Sequence, residues 1–234
     1  EFCPSGTLRA MKVLAIHRRI FARTKPMASI PTLMASGPVI PVIEIDNEAD
    51  ALPLGEALLK GGVRVLEITL RTPAALGAIS RISAGLPDAI VGAGTVLAPK
   101  DVKAAKDAGA RFAISPGLTR DLAETCTALR LPLLPGVVTA TEIMIARDMG
   151  FRHFKFFPAA SSGGAAAVKA LSGPFPDITF CPTGGISADT APSYLSLPNV
   201  ACVGGSWIAP KSLIAEKNWA KITELAAATA GLRA

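Results

Sequence analysis

The chain has 234 residues, half of them hydrophobic and only 5% aromatic, with a formal net charge of +6. Ala, Gly, Val, Leu and Ile do the filling, which suits repeated β/α layers better than an aromatic-rich β-sandwich. Residues 1–27 carry +5 of the charge; the nearly neutral body has no basic stripe interleaved with aromatics and no run of about 18 apolar residues, which argues against nucleic acid and membrane as its partners.

Residues 1–34 read as an N-terminal extension ahead of a single domain, 35–234. Arg9, Lys12, Arg18, Arg19, Arg23 and Lys25 stand there against Glu1 alone, with Met11 and Met27 as further possible starts. A tag, a start-site artefact and an organellar transit peptide all fit this pattern. Cys3, Cys126, Cys181 and Cys202 form no CxxC pair and resemble neither a zinc site nor a disulfide framework. A reducing, cytoplasmic setting follows, unless the basic segment is a transit peptide. His17 and His153 are the only histidines. They are too few for a histidine-rich metal centre, and no GxSxG elbow accompanies His153. No metal or cofactor is expected, and chemistry falls to lysine, carboxylate and backbone groups.

From Pro38 a unit repeats. Short β-rich runs at Val39–Ile45, Val63–Leu70, Ile90–Val96, Phe112–Pro116, Leu131–Val137, His153–Pro158, Ile178–Pro182 and Val200–Gly204 begin 19–27 residues apart. That spacing accommodates a strand plus a crossover helix. The intervening stretches carry helix signals. Asp46-Asn47 precedes the first helix and Gly61-Gly62 closes it; Thr72-Pro73 opens the second; Pro99-Lys100-Asp101 opens the third. Thr119, Thr141 and Ser187 precede further helices, 211–230 forms the last, and Ser162-Gly163-Gly164 reads as a turn. Eight parallel strands with crossovers predict a (β/α)₈ TIM barrel. The alternative, an open doubly wound sheet, lacks its fingerprint, since Gly92-Ala93-Gly94-Thr95 is not followed by the third glycine of GxGxxG.

In a barrel, function collects at the C-terminal strand ends. The second strand alternates Leu66, Ile68 and Leu70 with Val65, Glu67, Thr69 and Arg71, which turns the second set inward. Glu67 then either pairs structurally with Arg71 or faces Lys155 as an acid/base. Thr95 either binds a ligand oxygen or caps the next helix. In His153-Phe154-Lys155-Phe156-Phe157-Pro158 a strand sets Phe154 and Phe156 opposite His153, Lys155 and Phe157. Burial disfavours an ammonium and frees the amine for Schiff-base chemistry, whereas a lysine at a strand end can also extend its charge to water. Two glycine pairs, Gly184-Gly185 and Gly204-Gly205 followed by Ser206, stand after the last two strands, where barrels hold phosphate.

The runs GGVRVLEITLRT (61–72), VGAGTVL (91–97), FAISPGLT (112–119), FKFFPA (154–159), FCPTGGIS (180–187) and CVGGSW (202–207) together resemble the 2-keto-3-deoxy-6-phosphogluconate (KDPG) and 4-hydroxy-2-oxoglutarate aldolases over residues 35–225. The resemblance implies a metal-independent class I aldolase in which Lys155 forms the Schiff base and Glu67 is the general acid/base. It places Arg71 and Thr95 on the pyruvate carboxylate and Pro116 and Phe157 in the substrate pocket. Gly184, Gly185, Gly205 and Ser206 are placed on the phosphate. It also implies a homotrimer. The chain departs from the family in its basic N-terminus and at 159–165, where many members have Glu or Asn after Pro-Ala.

The implied reaction cleaves 2-dehydro-3-deoxy-6-phosphogluconate, the Entner-Doudoroff intermediate, to pyruvate and D-glyceraldehyde 3-phosphate. Cleavage of 4-hydroxy-2-oxoglutarate to pyruvate and glyoxylate accompanies it. Three alternatives stay open: an aldolase for the 6-phosphogalactonate epimer, a non-catalytic phosphate-ligand-binding barrel, and a separate basic arm at 1–27 that binds RNA or acidic membranes.

Overall fold

A computed structural model describes residues 29–233. The expectations placed on residues 1–28, among them the basic segment, Cys3 and His17, lie outside the described residues.

The architecture is an α/β fold on a curled parallel sheet. Strands β1 (Val39–Ile43), β2 (Val65–Thr69), β3 (Ile90–Gly94), β4 (Ala113–Ile114), β5 (Leu133–Leu134) and β9 (Val203–Gly205) form one sheet, in the order β5-β4-β3-β2-β1-β9. Strands β6 (Gly136–Val137), β7 (His153–Phe156) and β8 (Thr179–Pro182) form a second. Every pairing is parallel, for example Glu67 opposite Gly92 and Lys155 opposite Cys181. The expected fifth strand, Leu131–Val137, is divided at Pro135, which has no N–H to give to a ladder. Its first half pairs with β4 and its second with β7, while the Pro135 carbonyl accepts from Lys155 N at 2.9 Å. Between β8 and β9 the contact consists of single bridges, Phe180 with Val200 and Thr183 with Gly204.

The helices are α1 (Ile30–Met34), α2 (Ala51–Lys60), α3 (Ala75–Gly85), α4 (Pro99–Asp107), α5 (Arg120–Ala128), α6 (Ala140–Asp148), α7 (Gly164–Ala170), α8 (Ala191–Leu195), α9 (Lys211–Ala215) and α10 (Trp219–Ala228). Two helix expectations are corrected. The cap before α6 is Thr139, not Thr141: its hydroxyl accepts from Glu142 N at 3.2 Å, and Glu142 accepts from Thr139 N and Val138 N at 2.7 Å, a capping box. The single helix expected at 211–230 is two, because Lys217 turns left-handed (φ +54°) and Asn218 starts a new helix by accepting from Lys221 N. The turn at Ser162-Gly163-Gly164 runs directly into α7.

Two apolar layers follow from the strand alternation. Leu66 and Ile68 of β2 face outward and join Ile79, Leu58 and the three phenylalanines Phe154, Phe156 and Phe180 beneath the helices. The Phe156 and Phe180 rings meet edge to face at 6.2 Å. Burying each such ring stabilises the fold by about 1.5–3 kcal/mol. Val65 faces inward with Ile40, Phe112, Ile114, Cys181 and Cys202. Leu33 and Met34 of α1 join this inner layer, although they lie in the segment read from sequence as an extension. The outward and inward residues of β2 are thus the two sets that its alternation predicts, and the inward set carries the site.

Candidate active site

The inner layer is apolar at the N-terminal end of the strands and polar at the other. The change occurs within β2: Val65 belongs to the apolar cluster, Glu67 and Thr69 are buried polar residues, and Arg71 lies just past the strand end. Across the interior, Lys155 of β7 donates from Nζ to Glu67 Oε1 at 3.1 Å. The residues are 5% and 1% exposed, so water screens the pair only weakly. Room for the carboxylate comes from Gly94 on β3. A Cβ there would lie 2.6 Å from Glu67 Cγ and closer still to Oε1. The Phe157 ring stands beside the amine, its centroid 5.3 Å from Nζ.

Lys155 opens onto a cavity of about 500 Å³ at the C-terminal ends of β1, β2, β7, β8 and β9. Thr69 of β2 and Arg71 just beyond it line the cavity, with Lys155 of β7 and Phe157 just past that strand. The segment after β8 contributes Thr183, Gly184, Gly185 and Ile186, and β9 with its following loop contributes Gly204, Ser206 and Trp207. Gly184 and Gly185 have φ of +101° and +72°, a left-handed pair that side-chain-bearing residues rarely adopt. Such a pair turns successive backbone N–H groups into a concave cradle suited to an anion.

Arg71 is held from behind. Its Nε donates to Thr95 Oγ1 at 3.0 Å, and its Nη1 lies 4.0 Å from Glu44. Thr95 pays for this position with a left-handed backbone, φ +55°, which costs a β-branched residue on the order of 1–3 kcal/mol. Glu67 does not pair with Arg71; its carboxylate faces Lys155.

Of the residues singled out from sequence, Arg71, Lys155, Phe157, Gly184, Gly185 and Ser206 line the cavity. Glu67 reaches it through Lys155, and Thr95 stands behind Arg71. Gly205 is not in the lining; its neighbour Gly204 is, and a Cβ on Gly205 would collide with the Trp207 ring. Pro116 is also outside the lining, its carbonyl packed against Gly136. His153 stands at the opposite end of β7, beside Pro31, Pro132 and Arg152, where burial lowers its pKa below the ordinary histidine value. Sequence reasoning missed Val42, Glu44, Trp207 and Lys211. The first two continue the inward alternation of β1, which was the available signal; Lys211 has none.

The family model of the KDPG and KHG aldolases matches residues 30–225. The chain belongs to the KDPG and KHG aldolase family. It is 53% identical over 194 residues to the 2-dehydro-3-deoxy-phosphogluconate aldolase of Pseudoalteromonas atlantica, covering 83% of this chain and 90% of that one. It is 48% identical over 198 residues to the KHG/KDPG aldolase of Escherichia coli, covering 85% and 93%. The crystal structure of a Legionella pneumophila KDPG aldolase, with pyruvate captured at low pH as a covalent carbinolamine intermediate, superposes with a TM-score of 0.84 at 52% identity, covering 86% of this chain and 98% of that one. Among the described residues of this aldolase-family chain, no helix is long and apolar enough to cross a membrane.

Proposed function

We propose that the chain is a Schiff-base aldolase that cleaves 2-dehydro-3-deoxy-6-phosphogluconate to pyruvate and D-glyceraldehyde 3-phosphate. The observation that carries this reading is the buried Lys155–Glu67 pair opening onto a cavity that Arg71 and the Gly184-Gly185 cradle also line. The carbinolamine captured in the Legionella relative supports it.

Lys155 passes a proton to Glu67 across their hydrogen bond, and the free amine adds to the C2 ketone. Glu67 returns that proton as the carbinolamine loses water, leaving a cationic imine. The Glu67 carboxylate then takes the proton of the C4 hydroxyl. The C3–C4 electron pair flows into the imine, the aldehyde departs, and an enamine remains. Protonation at C3 and attack of water at C2 release pyruvate and restore the amine. Arg71, steadied by Thr95, holds the substrate carboxylate; Gly184, Gly185 and Ser206 hold the phosphate, with Gly205 backing Ser206. Phe157 walls the amine, and Pro116 shapes the strand end behind it. Anchoring both substrate ends sets the scissile bond between amine and carboxylate.

Cleavage of 4-hydroxy-2-oxoglutarate is a second activity of the same site. The family carries both names, and a structural neighbour described as a 4-hydroxy-2-oxoglutarate aldolase/2-deydro-3-deoxyphosphogluconate aldolase superposes with a TM-score of 0.79 at 36% identity, covering 87% of this chain and 98% of that one. We propose further that the sheet works as a closed eight-stranded ring, supported by the β8–β9 bridges and by the shared segment Leu133–Val137. One domain, cytoplasmic and homotrimeric, completes the reading; the exposed Leu97, Met144 and Ile145 supply apolar surface for such an assembly.

Borohydride with pyruvate is the test. Reduction traps pyruvate on Lys155 and abolishes turnover, and Lys155→Ala is neither trapped nor active. Native turnover by Lys155→Ala overturns the reading.

A further inference from the structure

The cavity carries one cation that this mechanism does not use. Among the described residues lining it, Arg71 and Lys155 serve the keto-acid end, and Lys211 is the remaining cation. Lys211 is the first residue of α9, five positions after Ser206, and the intervening loop is closed by a bond from Ala209 N to the Ser206 carbonyl at 3.3 Å. It lines the same cavity as Ser206, Gly184 and Gly185 of the proposed phosphate cradle.

Two carboxylates set its position. Nζ lies 2.6 Å from Glu44 and 3.1 Å from Asp46. The hydrogen bond to Glu44, and then that to Asp46, raise the lysine pKa, so the group remains an ammonium through the neutral range. An ammonium has three donors and no acceptor, and these two partners leave one donor uncommitted. Both ion pairs are solvent-exposed, with about half of the Lys211 side chain accessible. Exposed pairs of this kind are weak and screened, and a phosphate dianion competes well for the same ammonium.

We infer that Lys211 is a specificity-determining residue that binds the substrate phosphate, with Glu44 and Asp46 as the carboxylates it exchanges for that phosphate. This deepens, and rests on, the aldolase reading above. Lys211 acts at the binding step and takes no part in bond cleavage. Its effect therefore falls on KM for a phosphorylated keto acid and much less on kcat. Glu44 acts in the opposite sense, because its carboxylate competes with the phosphate for the ammonium.

The experiment compares 2-dehydro-3-deoxy-6-phosphogluconate with unphosphorylated 4-hydroxy-2-oxoglutarate, using wild type, Lys211→Met, Lys211→Arg and Glu44→Gln. The Met variant raises KM for the phosphorylated substrate and lowers its kcat/KM relative to that for the unphosphorylated one by about tenfold, the worth of one charge-assisted hydrogen bond. The Arg variant recovers most of that ratio. Glu44→Gln moves the ratio the other way. Equal losses on both substrates in the Met variant, or an unchanged ratio in both the Met and Gln variants, overturn the inference. Borohydride trapping of wild type with pyruvate stands apart from these ratios: no adduct there means that the aldolase reading has failed, whereas an adduct with unmoved ratios means that only the assignment of Lys211 has failed.

Discussion

Glu67 and Lys155, 88 residues apart in the chain, meet at 3.1 Å inside the curled sheet, each almost fully buried. Neither strand makes this contact alone. Glu67 rises from the middle of β2 and Lys155 from β7, and Gly94 on β3 leaves the space in which the carboxylate lies. One carboxylate beside one amine can accept a proton, give it back and accept a second, which is the sequence of transfers that an imine-based cleavage requires.

Replacing that carboxylate slows imine formation and removes the acceptor of the C4 proton. Glu67→Gln keeps the shape and one hydrogen bond to Nζ but cannot accept the C4 proton. Turnover should fall by about 10²–10⁴-fold, while borohydride still traps pyruvate on Lys155 at long incubation. Steady-state rates and intact-protein mass measure both. Native turnover in this variant removes Glu67 from the mechanism.

Gly94→Ala tests the same pair through packing. The added methyl meets Glu67 Oε1 and Cγ, and the carboxylate must swing away from the amine. The expected cost is about 1–3 kcal/mol of stability together with a loss of kcat exceeding any change in KM. Urea denaturation and steady-state kinetics provide the two readouts; unchanged values of both would show that the carboxylate has room elsewhere.

Legibility in the sequence followed locality. Alternation in β2 sorted Leu66 and Ile68 from Val65, Glu67 and Thr69, because strand period is a local property that burial on two faces cannot disguise. The same rule reaches Val42 and Glu44, but Glu44 stands one residue beyond the end of β1 and its partner Lys211 is 167 residues away. No local pattern encodes a pair so distant. The positive φ of Thr95 is equally silent, since a β-branched residue after two glycine-rich positions reads as extended. Pro135 was visible as a letter, but its division of one strand between two sheets depends on neighbours that arrive from elsewhere in the chain. The break at Lys217 was hidden because apolar spacing continues through it.

Arg71 offers a test of carboxylate recognition. Its Nε is committed to Thr95, its Nη1 lies 4.0 Å from Glu44, and the residue lines the cavity. Arg71→Lys keeps the charge but loses the planar fork. KM for the keto acid should rise by about 10- to 100-fold, as expected for losing a charge-assisted hydrogen bond, with a smaller effect on kcat. A matching rise in the inhibition constant of pyruvate would locate the loss at the carboxylate end. A fall in kcat alone would place Arg71 in the chemistry instead.

The imine route draws its electron sink from Lys155, so chelation should not touch it. Prolonged dialysis against EDTA is expected to leave turnover of the phosphorylated keto acid within about twofold of the untreated enzyme, a difference below about 0.5 kcal/mol. Loss of activity that returns on adding back a divalent cation would contradict a lysine-centred mechanism.

The capping box at α6 supplies a stability prediction with a defined pH sense. Burial pushes the Glu142 carboxyl upward, but the N–H groups of Thr139 and Val138, with help from the Thr139 hydroxyl, outweigh it and hold the group below the usual carboxylate range. A folded-state pKa below the unfolded one means that the carboxylate form stabilises the fold. That contribution is complete above the ordinary glutamate pKa of about 4.3 and is lost as pH falls through the lowered folded value. Glu142→Ala should therefore cost about 1 kcal/mol at pH 7 and progressively less below about pH 4, as wild type gives up the same interaction on protonation. Urea midpoints of the two proteins, measured at pH 7 and pH 3, should converge at the lower pH. A gap of constant size would mean that Glu142 acts through packing of its methylenes rather than through its charge.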